Sequence, residues 1–210
     1  MPFELSQAQI EELIPTLGRP DPKNQFEAEL IETHRHYVRK GKALVLKQAV
    51  PMVAMGRRQK TGGGRWRGTY AIQTCPTVAD YWGVLSDGMV VAMDAKERDA
   101  SSSRGFRFAH SDARSHQWLA LRLLEGWGAA AFFIVSVVEG GKAGWAALVK
   151  PSWIGERQSV DLQECPVIER GDGGLWDWLS EARRYGSWAI MMKRQKWSKK
   201  GDLPSCVKLA

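Results

Sequence analysis

The sequence predicts a mixed α/β protein: a central β-sheet flanked by helices. Three observations predict it. Apolar residues recur at helical spacing over residues 24–41 and 113–128. Strand-like apolar runs stand between those stretches and after the second of them. Read in order, the elements are helix, strands, helix, strand, strand and helix, a pattern that places helices on a mixed sheet. The 210 residues suffice for one core, and no internal repeat divides them. A single domain over 1–210 is therefore expected, with residues 1–22 as a peripheral cap.

A short helix is predicted from Ser6 to Leu17, stopped by the glycine and prolines of "LGRPDP". "NQFEAELIETHRHYVRKG" spaces Phe26, Leu30, His34 and Tyr37 helically, with Asn24 as N-cap and Gly41 as the stop. "KALVLKQAVPMVAM" is β-rich. It leads into "GRRQKTGGGRWRG", whose three consecutive glycines fit no regular element and imply a basic arm or hairpin tip. Next comes "DYWGVLSDGMVVAMDAKERD", an apolar strand, an "SDG" turn and a second apolar strand. "DASSSRGFRFAHSD" reads as a polar connection. "ARSHQWLALRLLEGWG" is helical, "AAAFFIVSVV" a buried strand, "EGGKAG" a turn and "WAALVKPSW" a further strand. A Trp-rich helix, "GGLWDWLSEARRYGSW", follows, and the helical context assigns Trp118, Trp127, Trp176 and Trp178 to core or dimer packing rather than base stacking.

Lysine and arginine exceed aspartate and glutamate by 30 to 23, a net charge of +7. The excess is lopsided. No acid occurs between Glu32 and Asp80, whereas Arg35, Arg39, Lys40, Lys42, Lys47, Arg57, Arg58, Lys60, Arg65 and Arg67 all do. A second cluster holds Lys193, Arg194, Lys196, Lys199 and Lys200, with Trp197 among them. Such runs suit phosphate-facing surfaces, since each neutralised phosphate releases counterions. No stretch approaches the roughly 20 apolar residues of a membrane span, and the N-terminus has no signal core, so a cytoplasmic protein is expected. Cys75, Cys165 and Cys206 suit neither a disulfide framework nor a CxxC site. His34, His36, His110 and His116 form no zinc-spaced pair. "GDGG" and "TGGG" do not continue into a GK[ST] helix start, and no G-x-S-x-G appears, which argues against a nucleotide cofactor and a serine hydrolase.

The hairpin at 80–99 carries charge in apolar surroundings. Alternation puts Asp94 and Lys96 on one strand face. Asp80 joins them only in one register. A three-residue loop with Gly88 left-handed opposes Leu85 to Met89 and Asp80 to Asp94, whereas a two-residue Asp-Gly turn sends the carboxylates to opposite faces. Both registers are open to the sequence. Two carboxylates about 5 Å apart at Cβ repel unless a cation joins them, and a hard divalent ion is the natural one. Lys96 beside it could orient a water or stabilise charge on a phosphodiester.

These residues resemble the RecU-type Holliday junction resolvases of the PD-(D/E)xK nuclease superfamily. The resemblance rests on "NQFEAELIETHRHYVRKGKALVLKQAVP", "DYWGVLSDGMVVAMDAKE", "HQ" at His116 and Gln117, and "GAAAFFIVSV", in that order over about residues 23–140. It implies a restriction-endonuclease-like fold and the three-residue turn. It also implies catalytic roles for Asp80, Asp94, Lys96, Glu27 and Gln117, with Asp80, Asp94 and Glu27 as metal ligands. Glu29 and Glu32 compete with Glu27 for the helix acid. Asp94 stands where RecU proteins usually carry glutamate.

The resemblance further implies a homodimer and a protruding basic stalk over about 54–75, in which Arg57, Arg58, Lys60, Arg65, Trp66 and Arg67 contact DNA. The expected activity is Mg2+-dependent cleavage of four-way junctions, with Mn2+ substituting, in recombination and repair, by a bacterial or phage-encoded enzyme. An endonuclease on flap, nicked or duplex DNA, and a non-catalytic DNA-binding accessory protein, are the competing expectations.

Overall fold

A computed structural model of the chain describes residues 6–19, 24–48, 52–55, 59–60, 66–67, 70–73 and 79–184. Its elements run α1 (Gln7–Leu13), α2 (Gln25–Arg39), β1 (Ala43–Lys47), β2 (Met52–Met55), β3 (Gln59–Lys60), β4 (Trp66–Arg67), β5 (Tyr70–Gln73), β6 (Tyr81–Leu85) and β7 (Val90–Asp99). They continue with β8 (Arg107–Ala109), α3 (Ser115–Trp127), β9 (Ala130–Glu139), β10 (Lys142–Val149), α4 (Pro151–Arg157), β11 (Ser159–Asp161) and β12 (Val167–Glu169), and residues 179–184 are helical. The main sheet has six strands in the order β1-β6-β7-β9-β10-β12. All neighbours are antiparallel except β7 and β9, which are parallel and joined through α3. This is the expected mixed sheet flanked by helices.

Each face of the sheet carries its own apolar layer. On one, α2 packs Phe26, Leu30, Ile31 and Tyr37 against Val45, Tyr81, Met93 and Phe132. On the other, Leu121 of α3 and Ile154 of α4 cover Ala92, Phe133, Val135 and Val149. The central β9 is buried at eight successive positions, as a strand covered on both faces must be. Gly83 permits the close approach of β6 to β1, since a Cβ there would stand 2.3 Å from the Leu44 carbonyl oxygen. The cap forms as expected: Ser6 caps α1 in a capping box with Gln9, and Ile14 and Leu17 seat on Val38 of α2.

The chain departs from expectation mainly beyond residue 100. Residues 99–112 are not only a polar connection: Phe108 is buried in β8, which pairs with β11. "WAALVKPSW" does not stay a strand, because Pro151 at the first position of α4 cannot donate to a ladder and is preset for a helix. The Trp-rich helix is shorter than expected. Arg170 and Trp176 bridge in extended conformation, and both Trp176 and Trp178 enter the core before the helical turn at 179. The segment is tied to α2: the Trp176 amide donates to Thr33 Oγ1 at 2.9 Å, and Tyr37 Oη donates to the Asp177 side chain at Oδ1, 2.6 Å away. Trp127 is 73 % exposed and so is not a core residue.

β2 pairs with β5 and β3 with β4, describing a hairpin separate from the main sheet over the interval expected to form the stalk. Residues 61–65, Arg65 among them, and Arg57 and Arg58 lie outside the described residues, as do the side chains of Lys60, Trp66 and Arg67. The basic cluster at 193–200 lies outside them too. Among the described residues, no helix is long and apolar enough to cross a membrane.

His34 is fully buried on α2, edge-on to Tyr81 and Trp178, and neither ring nitrogen has a hydrogen-bond partner among the described residues. Burial pushes its pKa down to about 3. The unfolded chain therefore binds a proton that the folded chain refuses. His34's contribution is intact above about pH 6.5 and is lost as pH falls toward 3, at up to about 1.4 kcal/mol per pH unit. Denaturant midpoints of His34→Phe should fall less steeply than wild type over that window; parallel curves would show the ring does not titrate with folding.

Candidate active site

The hairpin turn fixes the site. Gly88 adopts φ +84, its amide donates to the Leu85 carbonyl at 2.9 Å, and the Leu85 amide donates to the Met89 carbonyl at 2.9 Å. Ser86, Asp87 and Gly88 thus form a three-residue loop, with glycine in the position a side chain would strain. The ladder pairs Val84 with Val90, Gly83 with Val91, Trp82 with Ala92 and Tyr81 with Met93. One further step sets Asp80 opposite Asp94. Asp80 is anchored there through Oδ2, which accepts the Ala95 amide at 3.0 Å, while its carbonyl accepts the Gln48 amide at 2.7 Å.

Asp94 is fully buried, an expensive place for a carboxylate. Gln117, near the start of α3, donates through Nε2 to Asp94 Oδ1, and its Oε1 accepts from Lys96 Nζ at 3.3 Å. The Lys96 ammonium lies against Asp94 Oδ2. That oxygen otherwise meets no well-directed donor among the described residues. Burial and the neighbouring Asp80 carboxylate push the Asp94 carboxyl up to about 7, with Lys96 opposing them. Tyr81, between strand partners on the opposite face, is likewise pushed up by burial and by the two carboxylates.

Four of the five residues expected in the site, Asp80, Asp94, Lys96 and Gln117, thus come together at one end of β6 and β7. Glu27 does not join them directly. It is held by the Lys47 ammonium on the α2 side of the sheet, where Lys47 stands opposite Tyr81. Among the described residues no three His, Cys, Asp or Glu side chains gather as a metal-holding group. The competing helix acids are committed elsewhere. Glu29 takes the Arg170 guanidinium and the Trp176 indole, and Glu32 pairs with Arg35 and Arg39. Glu27 is the helix acid that faces the site's end of β1.

Lys47 was visible in the sequence only as part of the basic interval. Arg35, Arg39 and Lys47 pair with carboxylates of the protein itself. Arg98, which alternation places on the face of Asp94 and Lys96, is held by Asp112.

The site fits a divalent cation. Amides hold one oxygen of each carboxylate, Oδ2 of Asp94 meets only the Lys96 ammonium among the described residues, and the two acids repel. Without a cation, the folded chain retains a proton on Asp94 that the unfolded chain has lost by about pH 4, so this carboxyl costs stability as pH rises from 4 to 7. In chelator, Asp94→Asn should gain in denaturant midpoint over wild type across that window and show little difference at pH 4. A constant difference would mean that Asp94 is ionised throughout.

The chain matches the family model described as RecU, Recombination protein U, over residues 24–143, which spans α2, the hairpin arm, the paired carboxylates and the β7-α3-β9 unit. No curated protein matches it. With the match covering more than half of the chain, the chain belongs to the RecU family of recombination proteins, whose membership implies a Holliday junction resolvase.

Proposed function

We propose that the protein is a Mg2+-dependent endodeoxyribonuclease that resolves four-way DNA junctions, as a homodimer, by hydrolysing one phosphodiester in each of two symmetry-related strands. The observation that carries this reading is the Asp80–Asp94 pair with Lys96 beside it, locked by Gln117. Asp80 and Asp94 would hold the cation, Glu27 would complete its shell only on leaving the Lys47 ammonium that now holds it, and Mn2+ would substitute for Mg2+. When bound, the ion supplies positive charge to the phosphate and lowers the pKa of water near it.

The remaining work falls to the chain's own groups. Lys96, fixed between Asp94 and Gln117, orients the attacking water and donates to the phosphate oxygen on which charge accumulates. Water oxygen bonds to phosphorus and the bond to the 3′ oxygen breaks, leaving 5′-phosphate and 3′-hydroxyl ends. Gln117 keeps both reacting groups in one geometry through its two amide atoms. Arg57, Arg58, Lys60, Arg65, Trp66 and Arg67 of the hairpin arm engage the junction, the cations through phosphates and Trp66 by stacking. Two sites related by a two-fold axis match a substrate cut in two symmetric strands.

The test is cleavage of a mobile four-way junction, a flap and a plain duplex with Mg2+. Wild type should cut the junction preferentially. Asp94→Asn should lose activity by about 10³-fold and Lys96→Ala by about 10²-fold while both still bind, since binding rests on cations remote from the pair. Ca2+ should support binding without efficient cutting. Asp94→Asn cutting at the wild-type rate would sink the site assignment, and equal cutting of all three substrates would sink the junction preference.

A further inference from the structure

Beyond Lys96, the same face of β7 carries a third charged side chain. Alternation along the strand sets Asp94, Lys96 and Arg98 in one row and sends Glu97 and Asp99 to the other face. Two residues of strand advance about 6.7 Å, close to the separation of neighbouring phosphates on one nucleic-acid strand. A substrate strand with one phosphate at Lys96 therefore brings the next to Arg98.

Arg98 belongs to a small network. Its guanidinium lies against Asp112 Oδ2, and both side chains are only 14 % exposed. Asp112 ends the 3-10 turn His110–Asp112; its Oδ2 also accepts the Ala109 amide at 2.8 Å, and its Oδ1 accepts from Arg104 Nη1 at 2.9 Å. Ser111 Oγ accepts from Arg104 as well, at 3.4 Å. One carboxylate thus orients two guanidinium groups.

The network carries more cation than its own structure needs. Two guanidinium groups share one carboxylate, which leaves one net positive charge. Asp112 does not satisfy Arg98 fully either, since the buried Nε has no hydrogen-bond partner among the described residues. Arg104 is 55 % exposed and lines an open cleft of about 600 Å3 with Ser103, Arg107, Ser111 and Asp161, so its remaining donors face open space. An ion pair that served only to tie β7 to the 3-10 turn would need one arginine. A second guanidinium, held at the rim with donors to spare, suits a phosphate, whose oxygens match its planar fork.

We propose that Arg98 and Arg104, bridged by Asp112, grip the substrate phosphate next to the one that meets the Asp80–Asp94 pair. The contact fixes that neighbouring phosphate and thereby aims the scissile one at Lys96. The assignment rests on the nuclease reading of the carboxylate pair for the path of the strand. The excess of cation at Asp112 stands without that reading.

The experiment is binding of a synthetic four-way junction by the full chain in Ca2+, followed from about 50 to 200 mM salt, with thermal melts in parallel. The double variant Arg98→Gln/Arg104→Gln should bind about 10-fold more weakly, and the slope of log K against log salt should fall by about 0.9, the loss of one phosphate contact. Replacing single phosphates near the crossover by neutral methylphosphonates should reveal one whose loss weakens wild type equally and weakens the double variant no further. In Mg2+ that phosphate should adjoin the cut. Arg104→Gln alone, at an exposed position outside the core, should show the same coupling in part and decides the matter if the double variant melts without cooperativity. Arg183→Gln, beside the turn at the far end of the hairpin, should match wild type. A folded variant that keeps the wild-type slope, or that loses as much as wild type to every methylphosphonate, overturns the proposal, because a purely structural ion pair would move the melts and leave the slope alone. A coupled phosphate two or more nucleotides from the cut overturns it too. A protein that shows the coupling but cuts no junction upholds the grip and removes the nuclease reading, whereas one that binds no junction overturns both.

Discussion

The nuclease activity proposed for this chain depends on a hairpin register. With side chains alternating across the strand, one residue more or fewer in the turn at 86–88 would send Asp80 and Asp94 to opposite faces of the sheet. The three-residue loop prevents that, and it does so with a single left-handed glycine and two backbone hydrogen bonds. The rest of the fold reinforces the choice. Gly83 lets β1 press against β6, the amide of Ala95 grips Asp80, and β9 runs parallel to β7 along its whole length, so neither strand can slide.

Holding two acids together in a buried place works against stability, and the surroundings show how the fold bears it. Asp94 has a bidentate neighbour in Gln117, which donates to the acid and accepts from the lysine, so one amide orients both charged groups. On the opposite side of the sheet, Tyr81 and His34 form an apolar floor with Trp178, their polar atoms unsatisfied among the described residues. Polar atoms left without partners there are a cost in stability that the site's surroundings carry.

Much of this architecture was legible in the sequence. The cap at Asn24, the stop at Gly128 and the unbroken apolar run of β9 are local signals, strong enough to place α2, α3 and a fully buried strand. The D-x-K spacing placed Asp94 and Lys96 together on alternation alone. Asp80 was different: two turn types were open to "SDG", and only the resemblance to a family selected the one the structure adopts. What the sequence hid was non-local. Nothing around Glu27 announces Lys47, nothing near Trp176 says that Thr33 and Tyr37 of a distant helix will hold it extended, and the helical spacing at Trp127 suited a core position that no element comes to cover. Lys47 likewise finds its acid, Glu27, only through folding.

The central claim is that the register creates one cation site from Asp80 and Asp94. Anomalous diffraction from crystals grown with Mn2+ tests it most directly. The account predicts a single strong peak per chain in contact with both carboxylates, absent from crystals of Asp80→Asn. A peak elsewhere on the chain, with none between these two acids, would contradict it.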